Sequence, residues 1–324
     1  MLVDSHGRAI QYLRVSVTDR CNFRCRYCMP EEGLPLIDHD SILRFEEIAA
    51  FCRVAAREGI RTIRLTGGEP LVKRGIVRLV ELLARIDGID DLAMTTNGVL
   101  LASMASELRG AGLGRVNIGA PTLDPVHYRE IARCSQVPNV VEAIQAALEA
   151  GLRPVKVNAV VLRGLSDALG PMLELARTLP IELRFIEYMP MGPRYDPDLF
   201  VPASAIRSEV ARAAGSALVP DAGHVGRGPV SGALRGHLWA GTVAVIPAMS
   251  EHFCARCNRL RLTSDGFLRT CLFSDDELDL KPALRPRVSD RALLELLHAA
   301  VQAKPACMPL LPGQRRRLMG QVGG

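Results

Sequence analysis

Apolar residues along this chain repeat with two alternating periods, about two residues in short stretches and about 3.6 in longer ones. Residues 11–18 alternate and are rich in β-formers, which predicts a strand running into a cysteine-rich loop. Residues 45–57 carry Ile48, Phe51, Cys52 and Ala55 at helical spacing and stop at Gly59. The exchange then recurs. Strands are predicted at 62–66, 91–95, 115–119, 155–162 and 181–186. Helices are predicted at 76–86 (with Val77, Val80 and Leu83 inward), 104–111, 140–150 (stopped by Gly151), 171–179 and 203–214. Six strand–helix units in a row predict an α/β fold with right-handed parallel crossovers. Closure of such a barrel needs eight units, so six predict an open, partial (β/α)6 barrel over residues 1–214. Cys21, Gly67, Thr95, Gly119 and Glu187 all fall at or just past a strand's C-terminal end, the rim where α/β barrels build their sites.

From Gly215 to Gly236 the pattern changes. This stretch is rich in Gly, Pro and Ala, has little period, and reads as an irregular linker opening a C-terminal extension, residues 215–324. Beyond it, 238–246 reads as a strand and Asp265-Gly266 as a hairpin turn that brings Cys271 back beside Cys254 and Cys257. Residues 290–303 read as a last helix, and the end from Arg315-Arg316-Arg317 onward reads as a flexible, solvated tail.

Composition narrows the class. The 324 residues are 48% hydrophobic, enough for a large core, yet no long uncharged run predicts a membrane span. Met1-Leu2-Val3-Asp4-Ser5-His6 is not a basic start followed by an apolar stretch, so no secretory signal is expected. Nine cysteines without one predict a reducing, cytoplasmic setting and thiols used as ligands or left free. The net charge of +5 suits an anionic small substrate, and an aromatic content of 4% is poor material for stacking bases, so no nucleic-acid partner is expected.

The chemistry concentrates in two cysteine triads. Cys21, Cys25 and Cys28 fall within eight residues, with Tyr27 placed to shield them; Cys254, Cys257 and Cys271 form the second set. Three thiols cannot all pair as disulfides, but they can wrap one face of an iron–sulfur cluster and leave one iron open. Zinc is the alternative for either set. It wants a fourth thiolate or imidazole; none follows Cys28 closely, and His252 is the local candidate for the second. Cys52 belongs to a helix's apolar face, while Cys134 and Cys307 have no evident partner. Gly67-Gly68-Glu69-Pro70 follows a strand, where glycine allows close backbone approach and a carboxylate can take an amino group. Arg14, Arg64, Lys156, Arg184, Arg259 and Arg261 recur in strands and beside the cysteines. A bare charge there is costly if buried unpaired, and converging guanidinium groups suit a polyphosphate.

The first triad with Tyr27 resembles the signature of the radical S-adenosylmethionine (SAM) enzymes. The whole set then resembles, over nearly the full chain, the GTP 3',8-cyclase family of molybdenum cofactor biosynthesis. That set comprises the first triad, Thr66-Gly67-Gly68-Glu69-Pro70, Thr95-Thr96-Asn97-Gly98, Arg184-Phe185-Ile186-Glu187-Tyr188-Met189, the second triad with Arg259 and Arg261, and the terminal Gly323-Gly324. The resemblance implies a partial TIM-like barrel of radical SAM type and a C-terminal extension carrying a second cluster. Two 4Fe–4S clusters and SAM are the implied cofactors, with Cys21, Cys25 and Cys28 holding the cluster that cleaves SAM. Tyr27, Gly67, Gly68, Glu69, Gly119, Arg184 and Met189 would bind SAM. Arg14, Arg64, Thr95, Lys156, Arg259 and Arg261 would bind GTP, and Gly323-Gly324 would reach toward the site. The implied reaction is a lyase cyclisation of GTP that joins ribose carbon 3' to guanine carbon 8. It needs an electron donor, feeds a cyclic pyranopterin monophosphate synthase, and is compatible with a homodimer. One segment departs: the family usually has Ser-Leu-Asp after the fourth strand, and here Gly119 stands in the serine position of Gly119-Ala120-Pro121-Thr122-Leu123-Asp124. A weakened SAM contact, or a divergent paralogue of lower activity, follows as one alternative. The others are a radical SAM enzyme acting on a peptide and a non-enzymatic zinc protein binding RNA.

Overall fold

The computed structural model describes residues 1–191, 195–221, 233–309 and 317–323. Its strands and helices alternate as β1 (Tyr12–Ser16), α1 (Phe45–Glu58), β2 (Thr62–Thr66), α2 (Ile76–Ala84), β3 (Asp91–Thr96), α3 (Leu101–Gly110), β4 (Arg115–Gly119), α4 (Pro125–Ala132), α5 (Val140–Glu149), β5 (Val155–Val161), α6 (Gly170–Thr178), β6 (Glu182–Glu187) and α7 (Ala203–Ala214). The C-terminal part adds β7 (Leu218–Pro220), β8 (Leu234–Gly236), β9 (Thr242–Ile246), β10 (Arg259–Leu262), β11 (Phe267–Arg269), β12 (Glu277–Asp279), α8 (Lys281–Leu284), α9 (Asp290–Gln302) and α10 (Met319–Val322). Among the described residues no helix is long and apolar enough to cross a membrane.

All twelve strands join one sheet, in the order β12-β11-β10-β1-β2-β3-β4-β5-β6-β9-β8-β7. The expectation of six parallel strands counted those that lead into a helix. Two more, β10 on β1 and β9 on β6, dock in parallel from beyond residue 214, so the parallel run is eight strands wide. The backbone of a parallel edge strand would otherwise stand unpaired; here each edge is extended by the C-terminal residues.

Strand alternation sorts the side chains. Leu13, Val15, Ile63, Leu65, Met94, Val116, Val157 and Leu183 are buried toward the helices. The alternate positions, Tyr12, Arg14, Arg64, Thr95, Asn117, Lys156, Asn158 and Arg184, line a cavity on the other face. Local chemistry sets the helix ends. Gly59 closes α1 in the left-handed region (φ 115°), its amide donating to the Ala55 and Ala56 carbonyls. At the other end of α1, Glu47 accepts from the Arg44 amide and from Arg285, which ties that helix to the end of α8.

One helix was not foreseen, and two expectations need correction. Helix α4 carries only Tyr128, Ile131 and Ala132 inward, too sparse a face to show as a period; its signal was Asp124 at the N-cap and Pro125 at the first turn. Part of the presumed irregular linker pairs as β7 and β8, strands of three residues at the sheet edge, too short for any pattern; residues 222–232 lie outside the described residues. The tail is docked. Arg317 pairs with Asp265 (Nη2–Oδ2 2.9 Å) and Glu277 (Nε–Oε1 2.6 Å) and stacks on the Phe267 ring, a set of partners 40 or more residues away that no local rule reveals. Arg315, Arg316 and Gly324 lie outside the described residues.

Asp124 accepts from the Val126 amide (2.9 Å) and the His127 amide (2.8 Å), and the Ile131 and Ala132 carbonyls of α4 accept from the Arg26 and Arg24 amides of the first cysteine loop (2.9 Å each). Asp124→Ala is expected to lower stability by about 0.5–2 kcal/mol in urea unfolding, whereas Asp124→Asn stays within a few tenths of wild type.

Candidate active site

Parallel register places Arg261 of β10 opposite Arg14 of β1, and Arg14 opposite Arg64 of β2. Adjacent strands lie about 4.8 Å apart, so three guanidinium side chains stand in one row. None of them has a carboxylate partner among the described residues. The Arg14 Nε is buried without any hydrogen-bond partner. Arg64 donates to the Tyr12 hydroxyl and to Thr95 Oγ1, while Arg261 donates to the Val322 and Gly323 carbonyls. Burial, and then the like charges alongside, lower Arg14, and Arg261 comes down to about 10. Burial also brings Arg64 down to about 10, partly offset by Tyr12. Burial alone would push the Tyr12 phenol up, but Arg64, Arg14, Arg259 and Arg115 outweigh it and bring it down to about 7. Arg64 and Arg259 also lie over the Tyr12 ring, 5.7 and 5.9 Å from its centre.

Lys156 and Arg184 converge from β5 and β6 on one carboxylate, Glu182 (2.5 Å each). Burial, followed by Arg184, takes Lys156 down to about 8. These groups enclose a cavity of about 460 Å³. All six residues expected to bind the nucleotide line it: Arg14, Arg64, Thr95, Lys156, Arg259 and Arg261. So do Cys254, Cys257 and Cys271, and Arg184 and Met189 from the set expected to bind SAM. The buried amide oxygens of Asn117 and Asn158, on the same walls, lack partners.

The first triad lies beside this cavity, outside its lining. Gly68 and Glu69 donate their amides to the Thr18 and Arg20 carbonyls (2.8 Å each), just ahead of Cys21. A methyl group added at Gly68 would stand 2.2 Å from the Arg20 carbonyl oxygen, so the glycine is required by this close approach. Gly67 sits at φ 143° in the same contact. The Glu69 carboxylate is buried and holds the end of β3, accepting from the Leu71 and Asn97 amides and the Thr96 hydroxyl; burial pushes it up to about 7. Tyr27 lies beside Cys25. Burial raises all three thiols, Cys21 to about 11 and Cys25 to about 12. At Gly119 an added Cβ would meet nothing nearer than the Thr96 carbonyl at 3.7 Å, so there is room for the serine this chain lacks.

The second triad sits in an electropositive setting. Burial would raise Cys257, but Lys304, Arg259 and Arg261 lower it. Glu187, fully buried at the end of β6, accepts from the Ala203, Met249 and Ser250 amides and the Ser250 hydroxyl, and so anchors the loop that leads to Cys254. Between the triads lies the tail. Cys28 packs with Met319, Val322, Leu272 and Phe273, the last two directly following Cys271, and Gly320 lies against the Cys28 sulfur.

Three soft thiolates apiece suit iron–sulfur clusters. Among the described residues no three His, Cys, Asp or Glu side chains converge tightly enough for a single ion, and His252, the candidate fourth zinc ligand, lines the cavity without joining such a group. Two cysteines expected to be partnerless have neighbours: Cys307 lies beside Cys254, and Cys134 lies within charge range of Cys25. Sequence reasoning also missed Tyr12, Glu182 and Lys304. Tyr12 and Glu182 become visible only through register with Arg259 and Lys156.

Residues 15–176 match the radical SAM superfamily and residues 181–309 match Molybdenum Cofactor Synthesis C. A GTP 3',8-cyclase of Heliobacterium modesticaldum is 47% identical over 333 aligned residues, covering 100% of both chains. One of Pelotomaculum thermopropionicum is 47% identical, covering 99% of each. Among solved structures, Streptococcus suis SuiB bound to precursor peptide SuiA superposes with a TM-score of 0.60 at 12% identity, over 92% of this chain and 66% of that one. SuiB bound to S-adenosylmethionine gives 0.58 at 13%, over 84% and 63%. The SuiB likeness shows the shared fold, and the match over residues 15–176 identifies it as that of the radical SAM superfamily. With full-length identity to curated relatives laid over the arginine row and paired cysteine triads, the chain belongs to the GTP 3',8-cyclase family of radical SAM enzymes.

Proposed function

We propose that this chain converts GTP into (8S)-3',8-cyclo-7,8-dihydroguanosine 5'-triphosphate, the first step of molybdenum cofactor biosynthesis, as a radical SAM lyase with two 4Fe–4S clusters. The observation that carries this reading is the row Arg261–Arg14–Arg64, which has no carboxylate partner among the described residues and opens on the cavity that the second triad lines. A triphosphate supplies the missing negative charge, and each guanidinium can meet it with a bidentate fork. A peptide would leave the row uncompensated, and family membership removes the non-enzymatic zinc reading.

In this reading Cys21, Cys25 and Cys28 hold one cluster, and Cys254, Cys257 and Cys271 hold the other, on the C-terminal extension of residues 215–324. Once bound, that first cluster would supply one-electron reductive cleavage of SAM. The chain's own part is to bind, orient and exclude water. Arg14, Arg64, Arg259, Arg261, Lys156 and Thr95 hold the nucleotide. Tyr27, Gly67, Gly68, Glu69, Gly119, Arg184 and Met189 border the SAM site, Gly119 through its backbone alone. The Met319–Val322 segment packs between the triads, with Met319 on the cavity wall. Such positioning matters because an unguided radical attacks any nearby carbon–hydrogen bond. A cytoplasmic setting, an electron donor, a following cyclic pyranopterin monophosphate synthase and a homodimer belong to the same proposal.

Anaerobically reconstituted protein is expected to hold about eight irons per chain and, with SAM, GTP and dithionite, to release the cyclised nucleotide. Cleaved SAM beside unaltered GTP rejects the substrate. Cys271→Ala is expected to keep about half that iron and still cleave SAM, yet form no cyclised product; full product formation by this variant removes the second triad from the mechanism.

Tyr12 gives a test without clusters. Of the five tyrosines, Tyr27, Tyr128, Tyr188 and Tyr195 are all raised, by burial first. A tyrosinate absorbance titration of the cluster-free chain should therefore show one residue ionising near 7 and the rest above 10. The folded value lies below the ordinary 10, so the stability it contributes is fully present above pH 10 and is lost as pH falls through about 7. Tyr12→Phe removes that phase. Saturating GTP, by neutralising the arginines, moves it upward; an unmoved phase counts against triphosphate binding on the row.

A further inference from the structure

Cys307 is exposed, and nothing in the proposed reaction uses it. Its thiol is a neighbour of the Cys254 thiol, as is the Met308 backbone, and one Arg8 Nη1 bridges the Cys254 carbonyl to that of Ala306, the residue before Cys307. The contact is held from several sides. Arg8, buried and paired with Asp4 (2.6 Å), donates to the Cys254 carbonyl (2.8 Å), the Ala306 carbonyl (3.1 Å) and the Pro305 carbonyl (2.7 Å). Lys304, also buried, donates to the Arg259 and Thr270 carbonyls (2.8 and 2.5 Å). The chain from 304 to 308 is thus fastened to the loop that carries Cys254. Cys254 lines the cavity, whereas Cys307 is absent from its walls and faces solvent.

We propose that Cys254 and Cys307 close a reversible disulfide whenever the second cluster is missing, and that this bond guards Cys254 against irreversible oxidation. The protective part rests on the reading of Cys254 as a cluster ligand; the bond itself does not. A peroxide is the oxidant. The exposed Cys307 sulfur attacks a peroxide oxygen, the O–O bond breaks, one water leaves and a sulfenic acid remains. The Cys254 sulfur then attacks that sulfur, the S–O bond breaks, and a second water carries off the remaining oxygen. Two thiols lose two electrons and two hydrogens, and one hydrogen peroxide becomes two waters. Two equivalents of a small thiol reverse the bond by exchange, being oxidised to their own disulfide. With Cys254 bound to iron, Cys307 has no free sulfur to pair with, so the bond waits on cluster loss.

The test uses full-length, cluster-free protein, reduced, desalted, treated with hydrogen peroxide, alkylated and digested with trypsin. Cleavage after Arg256 separates Cys254 from Cys257, so the pairs are distinguishable by mass. The expected product is a Cys254–Cys307 linked peptide that dithiothreitol removes and Cys307→Ser lacks. A Cys254–Cys257 or Cys257–Cys271 link in its place overturns the proposal. A second arm reconstitutes peroxide-treated protein with iron and sulfide after dithiothreitol. Wild type is expected to regain about eight irons, and Cys307→Ser about half that number, with Cys254 found as sulfinic acid. Equal recovery in the two proteins overturns the guarding role. If the linked peptide forms but untreated wild type binds only about four irons, the cluster reading of Cys254 fails while the disulfide stands.

Discussion

Three like charges held side by side on neighbouring strands are the constraint around which this molecule is arranged. Arg261, Arg14 and Arg64 are fixed in register by main-chain hydrogen bonds and cannot move apart without breaking the sheet. Like charges directly opposite one another destabilise a sheet, and an uncompensated buried charge costs several kcal/mol. The chain relieves this only in part, through the phenol of Tyr12, the hydroxyl of Thr95 and the carbonyls of Val322 and Gly323. On the proposed function, a multiply charged anion is what would complete the arrangement.

The sheet also explains how two cysteine loops from opposite ends of the chain are placed, the second lining the cavity and the first beside it. The first follows β1 directly. The second precedes β10, and β10 runs parallel to β1 with Arg259 opposite Tyr12, so the two loops stand toward opposite ends of these paired strands, with Arg14 and Arg261 between them. Buried carboxylates then hold the surrounding turns. Glu69 clamps the end of β3 beside the first loop, and Glu187 clamps the approach to the second. The docked tail fills the gap, its glycines fitting where a methyl group at Gly323 would collide with the Thr66 hydroxyl at 2.1 Å.

Several relationships were invisible before folding. Arg317 looked like part of a solvated run because its partners, Asp265 and Glu277, are distant in the chain. Cys307 looked solitary for the same reason, standing 53 positions from Cys254 by number and yet in contact with it. Lys304 carried no motif at all, and its role rests on two carbonyls and a thiol that only the fold gathers. Helix α4 was missed because a short, mostly exposed helix has no apolar face wide enough to register as a period.

By itself the amino-acid order determined the alternation of strands and helices, the rim positions, both cysteine triads and every cationic residue expected at the nucleotide, because these depend on local period and on residue type. Tertiary structure alone decided that eight strands and not six run parallel, that Tyr12 stands among four arginines, and that Lys156 shares Glu182 with Arg184. It also decided that the tail lies between the triads. Those outcomes turn on register and on contacts between distant segments, where a one-residue slip would send each side chain to the opposite face.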